Sequence, residues 1–317
     1  MKTILVTGSS GFVGSAVCRG LELRGCRVIR AVRRNAKPDD EAACIGDIDS
    51  KTEWTAALNR VDAVVHLAAR VHQMRDNAVE PLAEFRKVNV EGTCRLAESA
   101  ARAGVKRLVF MSSIKVNGDN TDGVGPFTEK DLPRPVDAYG QSKWEAEQLL
   151  WEISHRTGME VVILRLPLVY GPEVKANFFK LVRHVARGLP LPFGSIRNRR
   201  SLLNLTNLVD AMACCLEHRA ASGETFLVND GEDVSTPELV RRIARAFDRP
   251  ARLVPVPVWM MLLVGRVTGR LEQVKRFSGS LQIDSSRIRT KLGWTPPCMM
   301  EEELGRVAQW YLRHESV

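Results

Sequence analysis

Tyr139 and Lys143 stand four residues apart in the run Tyr139-Gly-Gln-Ser-Lys143. On a helix this spacing puts a phenol and an ammonium on one face, one turn from each other. A phenol ordinarily titrates near pH ~10, and a neighbouring ammonium stabilises its ionised form. The pair is therefore suited to exchanging a proton with an oxygen at neutral pH, although Tyr and Lys at this spacing also occur as plain surface contacts. A second hydroxyl, Ser113, ends the apolar run Leu108-Val-Phe-Met-Ser-Ser113. Residues at the carboxyl ends of parallel strands line the ligand crevice of open α/β sheets. Placed there, Ser113 is positioned to hydrogen-bond the reacting oxygen beside Tyr139; otherwise it ends a strand or caps a turn.

The elements that must position these groups alternate along the chain. Strand-like runs are expected at Thr3–Val6, Arg27–Val32, Ala63–Leu67, Arg107–Met111 and Val161–Arg165, with helices at Gly11–Arg24, Thr52–Asn59, Pro81–Ala103 and Ala138–Arg156. Such a repeat predicts right-handed βαβ units in an α/β, Rossmann-like, doubly wound parallel sheet. After Gly171-Pro172 the regularity fails, and the segment to Arg200 is rich in Pro, Gly and Arg. Leu202–Leu205 and Phe226–Asn229 look like strands again, and Ser235 with Glu238 reads as a helix-capping box. We therefore expect a nucleotide domain over 1–170, with returns around 202–232, and a smaller C-terminal α/β substrate domain over 171–317.

The first strand runs into Thr7-Gly8-Ser-Ser-Gly11-Phe12-Val13-Gly14. Gly8 allows a tight turn, Gly11 lets the backbone approach a pyrophosphate, and Gly14 lets the helix pack close to the strand. The diphosphate of a dinucleotide would sit on the positive end of that helix. An acidic residue at the end of the second strand would select NAD, but that position is Val32, followed by Arg33 and Arg34. Guanidinium binds a 2′-phosphate in a forked geometry, so NADP is the favoured cofactor, with Arg33 as its main contact, and NAD the alternative. As ordinary loop residues, Arg33 and Arg34 would only carry solvated charge. Asp47, after an expected third strand, is placed to accept from the adenine amino group, or is a plain turn residue.

Composition excludes several other classes. The basic excess, net charge +9, is scattered, with no recognition helix or RNA-binding signature. The apolar stretch Val254–Val264 is too short to span a bilayer and is expected to be a buried or groove-lining helix. The seven cysteines show no metal-ligand spacing and no pairing pattern. That pattern, with a chain that opens directly on a strand, points to reduced thiols and a cytoplasmic protein with no secretory signal.

Six motifs in fixed order resemble those of extended short-chain dehydrogenase/reductases of the NAD-dependent epimerase/dehydratase type, which act on nucleotide sugars. They are Thr7–Gly14, His66-Leu67-Ala68-Ala69, Asn89-Val-Glu-Gly-Thr93, Ser112-Ser113 with Val116 and Gly118, Tyr139-xxx-Lys143, and Tyr170-Gly171-Pro172. The resemblance implies that Ser113 and Tyr139 address the sugar oxygen and that Lys143 holds the nicotinamide ribose and tunes Tyr139. It implies a cofactor lined by Gly8, Gly11, Phe12, Val13, Gly14, Asp47, Ile48, Leu67, Ala68, Ala69 and Pro167, with Asn89 supporting the site. It also implies that Asn177 and Arg200 reach the substrate diphosphate, with Arg276 a third basic contact, and that relatives often form homodimers. His66 and Asn89 also have plain structural readings. The chain departs from the family where Asn117 replaces the usual Tyr of Val-Tyr-Gly, at Leu168 and at Ser201. Ile114-Lys115 follows Ser113 where 4,6-dehydratases carry an acidic pair, so water elimination lacks its acid and base.

The favoured expectation is an NADP-dependent reductase of a UDP-linked 4-keto-6-deoxy-N-acetylhexosamine for bacterial surface polysaccharide, on the resemblance of Ser112–Gly118 and Val174–Phe178 to such reductases. The alternatives are an NAD-dependent 4-epimerase of a UDP-hexose or UDP-N-acetylhexosamine and, from another class, a non-catalytic NADP-sensing protein on the same scaffold.

Overall fold

The computed structural model describes residues 1–34, 41–71 and 80–314. The first half is the expected alternation: β1 (Thr3–Thr7), α1 (Phe12–Leu23), β2 (Arg27–Val32), β3 (Ala42–Cys44), β4 (Ala63–His66), α2 (Pro81–Arg86), α3 (Gly92–Arg102), β5 (Arg107–Ser113), α4 (Ala138–Thr157) and β6 (Glu160–Leu166). The second half continues with β7 (Leu168–Tyr170), α5 (Ala176–Ala186), β8 (Arg200–Asn204), α6 (Leu205–Glu217), β9 (Glu224–Leu227), β10 (Asp233–Val234) and α7 (Thr236–Ala246). Four helices close the chain: α8 (Val258–Val267), α9 (Leu271–Ser278), α10 (Ser286–Leu292) and α11 (Met300–His314).

Seven parallel strands form the main sheet in the order β3-β2-β1-β4-β5-β6-β9. The chain order reverses between β1 and β4, which opens a crevice at the strands' carboxyl ends. Both faces are covered. Ile4 and Val6 of β1 pack with α1 and α6 through Val17, Leu21, Leu208 and Met212, whereas Leu5 points the other way, toward Leu96 of α3 and Leu150 of α4. The two-residue alternation of a strand produces this division. A second, three-stranded sheet, β10-β8-β7, is mixed: β7 and β8 are parallel, β8 and β10 antiparallel. It packs with α5, α7 and α11 in a cluster built on Tyr170, Phe178, Val240 and Leu304.

Three sequence expectations are corrected. Thr52–Asn59 forms turns around a buried Trp54 rather than a helix. Leu58 N–H donates to the Trp54 carbonyl, but Arg60 turns into the left-handed region at φ 56°. One turn does not offset the cost of helix nucleation. The helix expected over Pro81–Ala103 is α2 and α3 joined by a π-helical turn, Lys87–Glu91. Finally, the apolar stretch beginning at Val254 is not buried: its helix, α8, buries only Met261 and Gly265.

Candidate active site

The turn after β1 has the geometry its glycines predict. Gly8 lies at φ +66°, and a side chain there would meet the Ala68 nitrogen at 2.8 Å; one on Gly14 would lie 2.0 Å from the Gly8 carbonyl oxygen. Those positions admit only glycine. Gly11 is the N-cap of α1 and makes no side-chain cap hydrogen bond, so the helix presents backbone N–H groups to the crevice, an arrangement that fits a diphosphate. Phe12 packs toward the second-sheet cluster and Val13 toward the main core.

Thr7, which sequence reasoning missed, ties the crevice floor together. Its hydroxyl accepts from the Leu67 and Ala68 amides at 3.2 and 3.1 Å and pairs with His66 Nδ1 at 2.7 Å. His66 Nε2 bonds Thr93 at 2.9 Å. Burial and the nearby Lys143 push His66 down to about 3, so it is neutral and serves as a strut between β1, β4 and α3. Asn89 lies in the π-helical turn, where its side chain bonds the Arg70 amide and carbonyl at 2.8 and 3.0 Å and the Ser142 hydroxyl at 3.0 Å. It therefore pins the chain leaving β4 to the helix that carries Tyr139. Ala69 lies on that segment, and Pro167 is buried between β6 and β7, at the same edge of the sheet.

Ser113 is the last residue of β5, aligned with Leu166 of β6. Asp137 caps α4 by accepting from the Gly140 amide at 2.7 Å, which places Tyr139 in the first turn. The Ser113 hydroxyl lies close enough to the Tyr139 hydroxyl to act on its ionisation, so these two expected residues meet. Burial, with Asp137 second, raises Tyr139 to about 12, and the Ser113 hydroxyl draws it partly back. The lowering expected from the ammonium is not seen. Lys143 instead donates to the Met111 carbonyl at 2.8 Å and lies 4.4 Å from the centre of the Phe110 ring. Only 1% exposed, it is pulled by burial from 10.5 to about 7, with Glu147 opposing.

Behind Lys143 lies a charged network the sequence reading did not find. Glu147, one turn further along α4, takes hydrogen bonds from Ser112 and from Arg165 Nη2, the latter at 2.6 Å. Arg165 also donates to Asn117 at 3.0 Å, and Asn117 donates to the Thr128 carbonyl at 3.0 Å. Asn117, the departure from the family's tyrosine, is thus a buried partner of Arg165. The available signal was the four-residue step from Lys143 to Glu147, which puts both on one helix face. Lys115 ion-pairs with Asp137; neither stands as the free acid or base of a dehydratase.

At the crevice's outer end, Arg33 and Asp47 come within 3.8 Å, both largely exposed. Ile48 packs against α3, where a side chain on Gly92 would meet it at 2.5 Å. On the opposite side, Arg200 of β8 donates to the carbonyls of Arg276 and Gly279 at 2.8 and 3.0 Å. Burial lowers Arg200, Asp122 opposes that, and Arg276 adds to it. Two expected basic contacts are therefore adjacent, while Asn177 stands on α5, half-buried beside Ala176 at φ 57°.

Known proteins are similar to this chain in sequence and in fold. The chain is 45% identical, over 98% of its length and 96% of the relative's, to a UDP-glucose 4-epimerase of Vibrio cholerae. A structure of MoeE5 in complex with UDP-glucose and NAD matches at 28% identity and TM-score 0.76, over 98% of this chain and 99% of that one. A UDP-N-acetylglucosamine 4-epimerase of Bacillus cereus shares the fold at TM-score 0.81 and 24% identity, over 98% and 99% of the two chains. A glycine cradle on β1, a hydroxyl pair at the ends of β5 and α4, and a family model matching residues 4–229 lead to one conclusion: the chain belongs to the NAD dependent epimerase/dehydratase family.

Proposed function

We propose that the protein is a 4-epimerase of a UDP-linked hexose or N-acetylhexosamine that uses NAD. The observation that carries this reading is the likeness to the Vibrio cholerae UDP-glucose 4-epimerase, 45% identical over 98% of the chain. It favours the epimerase over the reductase expected from motif resemblance. The pairing of Ser113 with Tyr139 supports a common chemistry for both, and the lack of a carboxylate pair after Ser113 speaks against dehydration.

NAD, when bound, would supply a hydride acceptor and then donor for the sugar's C4, so none would be consumed. Gly8, Gly11 and Gly14 would hold its diphosphate, and Lys143 its nicotinamide ribose. Tyr139 accepts the proton of the C4 hydroxyl as the carbonyl forms and gives it back to the oxygen on the return. Ser113 holds that oxygen throughout. Lys143, kept close to neutral pH by burial, supplies positive charge when protonated. Arg200 and Arg276 would grip the substrate diphosphate, with Asn177 of α5 the further contact that the motif resemblance implies. NAD is preferred to NADP on the likeness to a structure that holds NAD, and the exposed Asp47 carboxylate, 3.8 Å from Arg33, adds a negative charge unfavourable to a 2′-phosphate there.

The test is an assay of UDP-glucose, UDP-galactose and their N-acetylated forms without added cofactor, with mass-spectrometric analysis of what the purified protein carries. Interconversion of a 4-epimer pair on resident NAD is the expected result. Stoichiometric loss of NADPH absorbance with a 4-keto sugar, and no epimer formed, restores the reductase reading.

A further inference from the structure

We propose that the outer face of α8 docks on an anionic lipid bilayer surface. Five large apolar residues of this ten-residue helix, Trp259, Met260, Leu263, Val264 and Val267, are exposed, Trp259 to 66% and Val267 to 81%. At helical periodicity they fall on one contiguous stripe, roughly 140° wide. The opposite side holds Met261 and Gly265 against the protein, where a side chain on Gly265 would meet Val274 Cγ2 of α9 at 2.9 Å. The helix is therefore anchored on one side and bare on the other.

Charge identifies the occupant. Between Arg249 and Arg276 there are six basic residues and one acidic residue, Glu272. Glu272 is paired with Lys275 at 2.9 Å, while Arg249, Arg252, Arg266 and Arg270 are exposed. An apolar stripe opening on a tryptophan and flanked by arginines matches a helix lying in the interface plane, its apolar face among acyl chains and its cations at anionic headgroups. A second copy of the chain fits poorly, because a two-fold contact would set this basic rim against itself. No helix among the described residues is long and apolar enough to cross a membrane, so the contact is with the surface. The face adjoins the proposed substrate side of the molecule: α9, which packs on α8, carries in its last turn the Arg276 carbonyl that receives Arg200. Docking would hold that side next to the bilayer. The inference does not rest on the identity of the sugar.

Co-sedimentation of the full chain with phosphatidylcholine vesicles, with and without phosphatidylglycerol, tests it. Binding is expected only with phosphatidylglycerol and should weaken as salt is raised. The double variant Trp259→Ser/Leu263→Ser should lower partitioning by about tenfold or more, and Arg266→Gln/Arg270→Gln by about fivefold per arginine. Both variants should keep the wild-type circular dichroism, oligomeric state and turnover of a soluble nucleotide sugar. Absence of binding, equal binding to neutral vesicles, or equal binding by the variants overturns the proposal. A dimer that dissociates on Trp259→Ser/Leu263→Ser also overturns it, by assigning the face to a second copy.

Discussion

At the scale of single residues, the candidate site works by desolvation as much as by charge pairing. Tyr139 is lifted to about 12 and Lys143 lowered to about 7, both chiefly by burial. Tyr139→Phe removes the hydroxyl assigned to take the sugar proton; turnover should fall by about 10²–10⁴-fold, with resident NAD retained on mass spectrometry. Wild-type turnover by that variant would remove Tyr139 from the chemistry. Lys143 carries a stability cost. Because its folded value lies below the unfolded 10.5, the folded state binds fewer protons between about 7 and 10.5, and stability rises with pH across that window. The burial cost is full below pH 7. Lys143→Met should therefore be more stable than wild type at pH 7 by a few kcal/mol, offset in part by the lost bond to the Met111 carbonyl, while turnover collapses. The stability gap should narrow toward pH 10.5 in urea titrations. A gap that does not change with pH would mean the lysine is not buried as a charge.

At the scale of elements, α4 is fixed at both ends of its first turns: Asp137 caps it, and Glu147 binds it to β6 through Arg165. Glu147 is fully buried and Arg165 nearly so. Removing one partner leaves the other charge uncompensated, at a cost of about 3–5 kcal/mol. Glu147→Gln should show that loss in chemical denaturation. It should also lower Lys143 further, since Glu147 is the group holding its value up. An unchanged denaturation midpoint would show that the network contributes little to holding α4. The cradle is equally constrained. Gly14→Ala puts a methyl 2.0 Å from the Gly8 carbonyl oxygen, a clash with backbone that only displacement of α1 can relieve. The variant should be purified free of NAD.

At the scale of the whole molecule, the crevice joins parts of the chain that are far apart in sequence. Gly8, Ala68, Ser113, Tyr139 and Pro167 reach one edge of the sheet from four strands and a helix. A ligand bound there favours only the folded state, and at a hundredfold excess over its dissociation constant adds about 2.7 kcal/mol. NAD should raise the melting temperature of cofactor-stripped protein more than NADP does at equal concentration. The reverse order would return Arg33 to the role of a 2′-phosphate ligand. Asp230, in the connection from β9 of the main sheet to β10 of the second, is fastened to the second sheet: it receives Tyr170 of β7 at 2.9 Å and the Asn204 amide of β8 at 2.8 Å. Burial raises this carboxyl to about 6.

The sequence by itself determined the parallel sheet, the glycine turn, and the order of Ser113, Tyr139 and Lys143. These follow from local rules: two-residue and 3.6-residue periodicities, the φ demands of a tight turn, and one-turn spacing on a helix. Only the tertiary structure decided that Lys143 bonds the Met111 carbonyl, that Arg33 lies beside Asp47, that Glu147 and Arg165 form a buried pair, and that α8 is bare. Each of these depends on which surfaces meet across distant segments. Burial sets the ionisation of a lysine and the fate of an apolar helix alike, and it belongs to the assembled fold, not to a run of neighbouring residues.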